Sequence, residues 1–225
     1  MSRVIVMSRT SQGDIDAYDG QAWTPSLRNS ITTWTAIDAV APDAVFAPGI
    51  GGEFRRWNGA TWQSLPAMPL ANGLALGASS PTSVYAAAAG GLAQFDGTAW
   101  RTAATGSTAA LRDVFGTSAS DVWAVGDSGT VLHFDGQAWR AAVVDTTARL
   151  TGVWASRPTN VWVVGLGGQI RRRRGPQDCA AIEHQVDALG LGDLRIIGVA
   201  FFSRSWVMSS LGAPPAHSTL SAASP

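Results

Sequence analysis

Four groups of residues in this chain have types and spacings that could do chemistry. Gly126-Asp127-Ser128-Gly129 spells the run that frames a nucleophilic serine in trypsin-like proteases. Such a serine needs a histidine base that precedes it in the chain, yet His133, His184 and His217 all follow Ser128. An α/β-hydrolase elbow fails too, because Thr130 stands where its second glycine belongs and no helix pattern follows. No histidine has an aspartate three residues before it, as a GDSL-type lipase would require. His133 has no partner histidine at ligand spacing and reads as a blade-face residue rather than a metal ligand. Asp14 and Asp16 share one strand face, with Asp19 in the next turn, and three carboxylates could hold Ca²⁺; no other repeat carries the set. The run Arg171 to Arg174 could meet an anionic partner, or it could be a solvated edge that blocks strand pairing. A sialidase-like site would need a Tyr/Glu pair, but Tyr18 and Tyr85 both occupy repeat positions and the glutamates are only Glu53 and Glu183. No catalytic residue, metal ligand or cofactor-binding pattern emerges, and the binding residues stay unassigned.

The composition agrees with a packed domain of no net charge. The chain has 225 residues, 46% hydrophobic and 14% charged, with zero formal net charge. That supports a sizeable core and gives no overall steering toward nucleic acid or an anionic membrane. Lysine is absent, so there is no Walker-type phosphate loop. The single cysteine, Cys179, cannot form an internal disulfide. No apolar run approaches the ~18 residues of a membrane span, and the first residues carry no export signal.

The elements that would position these residues repeat. An aromatic residue followed by Asp-Gly or Asn-Gly occurs in YDGQAW (18–23), WNGATW (57–62), FDGTAW (95–100) and FDGQAW (134–139). Glycines Gly20, Gly59, Gly97 and Gly136 are spaced 39, 38 and 39 residues apart, and each is followed three residues later by a tryptophan. A second series, Gly13, Gly52, Gly90, Gly129 and Gly168, precedes them. Upstream lies a half-pattern best seen in LRDVFGTSASDVWAVG (111–126) and LTGVWASRPTNVWVVG (150–165), centred on Phe46, Tyr85, Trp123 and Trp162. Each unit divides into four short runs rich in Val, Trp, Phe and Leu, separated by turn residues. Asp-Gly between two such runs predicts a type I′ hairpin. Four short strands per ~40 residues make one blade of a β-propeller, with the repeated tryptophans packed between blades.

The chain starts in mid-blade, and LRIIGVAFFSRSWVMSS (194–210) repeats the half-pattern, with Leu194 twelve residues before Trp206. This predicts an all-β propeller of five blades over residues 1–208, the N- and C-terminal strands sharing one blade; a fragment of a larger propeller is the alternative. Residues 171–193 form a degenerate blade segment. There Ile182, Val186 and Leu189 fall at helical spacing, which predicts a short helix over 178–190. The Pro-rich, polar residues 209–225 read as a disordered tail.

The stretch 111–139 resembles a bacterial propeller repeat abundant in myxobacteria, with the form Leu-x-x-Val-Trp-Gly, Asp-Val-Trp-Ala-Val-Gly and Asp-Gly-x-x-Trp. Such proteins are similar to Asp-box (BNR) and photosystem-assembly-factor-like propellers. The resemblance implies an exported or envelope-associated propeller with no assigned activity; a monomer is expected. Three functions remain open at this point: a non-catalytic module for a protein or peptide, a lectin-like binder of glycans, and a propeller glycoside hydrolase.

Overall fold

The computed structural model describes residues 6–9, 13–18, 21–28, 32–70, 75–174 and 183–184. Every regular sheet element is antiparallel strand. Among the described residues blade 1 has three strands, β1 (Val6–Arg9), β2 (Ile15–Tyr18) and β3 (Trp23–Leu27). Blade 2 comprises β4 (Asp38–Ala41), β5 (Ala44–Pro48), β6 (Phe54–Trp57) and β7 (Trp62–Ser64). Blade 3 comprises β8 (Ala75–Ser80), β9 (Ser83–Ala88), β10 (Gly91–Phe95) and β11 (Trp100–Thr102). Blade 4 comprises β12 (Leu111–Ser118), β13 (Asp121–Gly126), β14 (Val131–Phe134) and β15 (Trp139–Ala141). Blade 5 comprises β16 (Leu150–Arg157), β17 (Asn160–Gly165), β18 (Gln169–Arg174) and β19 (Glu183–His184). By register, β1 matches the second strand of the other blades. The composite closure with 194–208, and the tail 209–225, lie outside the described residues.

The second strands explain the repeat. All residues of β5, β9 and β13 are buried, because each packs on a neighbouring blade through both faces. The tryptophans of the fourth strands reach back to the preceding blade. Trp62 donates its indole N–H to Ser26 Oγ at 2.9 Å, and Trp100 donates to the Pro66 carbonyl at 3.1 Å. Trp139 packs edge-on against Tyr85, ring centroids 5.9 Å apart. Trp34, fully buried, ties blade 2 to blade 1 through the Gly13 carbonyl at 2.7 Å. Of these fourth-strand indoles only Trp23 is open to solvent, 52% exposed beside Tyr18.

The Asp-Gly turns differ from the type I′ expectation. Phe95 pairs with Trp100 and Phe134 with Trp139, so four residues lie between the strands rather than two. Asp96 Oδ1 accepts the backbone N–H of both Thr98 and Ala99 at 2.9 Å, and Asn58 and Asp135 do the same in their blades. The chain wraps around the side-chain oxygen, which mimics a backbone turn and leaves only the glycine at positive φ. The Thr98 hydroxyl is the main reason the Asp96 carboxyl sits at about 2. Gly97 is required twice over: its φ is +97°, and a Cβ would come within 2.8 Å of Thr82. The 38-residue spacing also has a physical origin. Ala88 pairs with Gly91 across a two-residue turn, where blades 2 and 4 use three-residue turns at Ile50–Gly52 and Asp127–Gly129.

Two aspartates staple neighbouring first strands. Asp38 accepts the Ala78 N–H at 2.7 Å, and Asp113 accepts the Val153 N–H at 3.0 Å. Asp38 as a residue is partly exposed, but its carboxyl is the buried part. Burial, reinforced by the Asp113 charge and opposed by the Ala78 and Ala39 N–H groups, pushes Asp38 up to about 7. The native state therefore holds a proton that the unfolded chain releases. Stability is expected to fall as pH rises from the ordinary 3.8 toward about 7. Asp38→Asn should flatten this slope, narrowing the gap in melting temperature between mildly acidic and mildly basic buffer. The effect at the basic end is on the order of 1–3 kcal/mol. An unchanged slope in the variant would assign the pH dependence elsewhere.

Candidate functional site

Within each blade the chain direction sorts the loops onto two ends. The turns between second and third strands share one end with the connections that lead from blade to blade. The turn of blade 4 is hydrogen-bonded there to both flanking connections, Asp127 N–H to the Ala110 carbonyl at 3.0 Å and Gly129 N–H to the Ala148 carbonyl at 2.9 Å. Blades 2 and 5 repeat this through Ile50 N–H to Thr33 and Leu166 N–H to Arg149, both at 2.9 Å.

Ser128 lies at the tip of the blade 4 turn, exposed, at φ 56°. It is the one non-glycine residue at positive φ among the described residues. The equivalent residues Gly51 and Gly167 have φ 79° and 72°. Ser128 thus occupies a left-handed turn position that glycine fills in the neighbouring blades. His133 is engaged elsewhere, with Nε2 2.7 Å from Asp121 Oδ1.

That end carries three of the four exposed large apolar side chains among the described residues: Ile50, Val143 and Leu166. The same end carries a charged cluster. Arg112 donates to Asp127 through Nε at 2.9 Å and a terminal nitrogen at 2.7 Å, a bidentate pair. Arg149, 49% exposed, approaches the same carboxylate at 2.8 Å. Two guanidiniums thus share Asp127. The Arg112 hydrogen bond holds the Asp127 carboxyl below the ordinary value, and Asp127 in turn raises Arg112. Nearby, Arg171 donates to Asp145 at 2.8 Å. The sequence pattern pointed to Asp127 only through the protease-like spelling and missed both arginines, because their shared partner becomes visible only when two connections meet one turn.

The Arg171–Arg174 run is not a solvated edge. β18 is the third strand of its sheet, paired to β17 along its length and to β19 on its other side. Arg171 and Arg173 are 4% and 5% exposed. Arg173 lies 5.1 Å over the Trp123 ring of blade 4 and donates to the Pro158 carbonyl at 2.6 Å. Phe134 packs on Tyr85 from the same repeat position. A guanidinium thus fills an aromatic slot through its flat face, which is why the repeat tolerates it. The helix expected over 178–190 is also corrected at Glu183–His184, which pair with Arg172 and Arg171. The open backbone edge of β18 takes a fourth strand, and this outweighs the local helical spacing. The rest of that segment, with Cys179, lies outside the described residues.

Asp14 and Asp16 face a cation already in the chain. Arg28 pairs with Asp14 and stands 3.8 Å from Asp16 Oδ1. Asp19 lies outside the described residues. Among those described, no group of three metal-ligating side chains forms and no helix is long and apolar enough to cross a membrane.

Strands stacked blade on blade, first strands innermost and indoles stitching adjacent sheets, define a β-propeller. Known structures agree on the fold. YCF48 from Cyanidioschyzon merolae superposes with a TM-score of 0.61 at 18% identity, covering 76% of this chain and 63% of that one. YCF48 bound to a D1 peptide gives 0.60 at 16% identity, covering 80% and 63%. The computationally designed Ika8 protein gives 0.64 at 19% identity, covering 84% and 60%. The chain thus spans less than two thirds of the length of these neighbours. No family model matches it, and no curated protein sequence does.

Proposed function

We propose that the chain is a non-catalytic propeller module that binds a protein or peptide across the end bearing the blade connections. One observation carries this: Ile50, Val143 and Leu166 are exposed on the same end of the propeller as two arginines that share one carboxylate. Apolar side chains and guanidiniums presented on one end suit a peptide with apolar side chains and an acidic group. YCF48, a neighbour in fold, has been captured with a D1 peptide bound, which supports the peptide class without identifying the ligand here. A lectin with recurring sites is less favoured, because the equivalent polar position reads Ala44, Ser83, Asp121 and Asn160 in successive blades.

Peptides selected from a display library against the whole chain are expected to combine acidic and apolar residues. Arg149→Glu should weaken them about tenfold or more in fluorescence anisotropy, with raised salt reducing wild-type affinity. Trp23→Ala, on blade 1, should leave binding unchanged. Binding indifferent to Arg149→Glu and to Leu166→Ser would reject the surface.

A further inference from the structure

Four blades place an aromatic residue of the second strand directly opposite a polar residue of the third: Phe46 with Arg56, Tyr85 with Gln94, Trp123 with His133, and Trp162 with Arg172. In three of them the cationic or ionisable group lies over the ring. His133 stacks on Trp123 at 4.1 Å, Arg172 sits 4.7 Å over Trp162, and Arg56 sits 5.9 Å over Phe46. Where the network is complete, the residue two before the aromatic supplies an acceptor. Asp121 Oδ1 lies 2.7 Å from His133 Nε2, and Asn160 Oδ1 accepts Arg172 Nε–H at 2.9 Å.

Blade 2 keeps the aromatic and the cation but has lost the acceptor. Ala44, fully buried, stands where Asp121 and Asn160 stand. The Arg56 Nε–H is buried and has no acceptor. A desolvated guanidinium donor without a partner is costly, and the missing group relative to Asp121 is one carboxylate.

We propose that this position, formed by Arg56, Phe46 and Ala44, binds a carboxylate brought by a ligand. The ligand is either a small free acid or the acidic side chain of a peptide; both present the same group to Nε. The site lies at the end opposite the blade connections, so it stands or falls independently of the proposed peptide surface.

The test is an NMR titration of the full chain with 15N-labelled arginine, the Arg56 Nε–Hε signal being assigned by its loss in Arg56→Gln. Sodium formate is one arm and a short glutamate-containing peptide the other, with sodium perchlorate as ionic-strength control. The Arg56 signal is expected to move downfield and saturate in the millimolar range with at least one carboxylate, and not with the control. Saturation by formate identifies a small acid as sufficient; saturation by the peptide alone identifies a side chain. In Ala44→Asp, which supplies the carboxylate internally, the signal should start downfield and no longer respond. No response to formate or peptide in the wild type overturns the proposal, as does a full response in folded Ala44→Asp.

Discussion

Gly129→Ala is expected to cost at least several kcal/mol, and the chain will fail to fold cooperatively at moderate temperature. Gly129 is buried at φ 68°, in the left-handed region. An added Cβ would land on the backbone carbonyl of Thr146, in the connection that leads to blade 5. That obstacle is main chain, so no side-chain rotation relieves it. Moving the connection would break the Gly129 N–H bond to Ala148 and disturb Arg149, which shares Asp127 with Arg112. The neighbouring substitution Ser128→Gly should behave oppositely. It relieves a left-handed serine at an exposed site and should stay within about 1 kcal/mol of the parent. Denaturant midpoints of the two variants decide the matter, and near-equal midpoints would mean that the turn is not locked against the connection.

Asp121→Ala is expected to destabilise by about 2–4 kcal/mol, the range for breaking a buried polar network. The carboxylate accepts from the Thr117 hydroxyl, from the Trp123 indole at 3.3 Å and from His133 at 2.7 Å. Truncation strands all three donors beside a new void. Burial alone would raise the Asp121 pKa; the hydrogen bonds from His133, Thr117 and Trp123 outweigh it and hold the group below 3.8. Its stabilising contribution is therefore complete above the ordinary carboxylate range and is lost as pH falls through the lower native value. Asp121→Asn should cost less, about 1 kcal/mol, since Asn160 serves Arg172 from the equivalent place. Equilibrium unfolding at neutral and acidic pH reads both effects. Equal stability of Asp121→Ala and the parent would show that the network contributes nothing.

The blades were legible because packing forces the same residue types to return at the same spacing. Trp62, Trp100 and Trp139 recur because each must meet the preceding blade. Glycine alternates with Ser128 because both tolerate the turn. Local patterns failed where distant groups decide. The Asp-Gly loops close around their own carboxylate, an arrangement that dipeptide statistics do not distinguish from a two-residue hairpin. Arg173 looked like damage because its role depends on Trp123, fifty residues earlier in the chain. The sheet edge that recruits Glu183–His184 overrode a helical spacing in the same way. The surface formed by Ile50, Val143, Leu166, Arg112 and Arg149 was invisible because it gathers residues from different blades at one end. Asp38 and Asp113 drew no notice, since each is a single acid in a strand and becomes unusual only when burial and the other charge are known.

Hydrogen–deuterium exchange of the full chain, with and without a library-selected peptide, tests the proposed platform most directly. Bound peptide should slow exchange in the turns at 50–52, 127–129 and 166–168 and in the connection at 142–149, all at one end of the propeller. Protection confined to the opposite end, at the Asx-capped loops 58–61, 96–99 and 135–138, would contradict it.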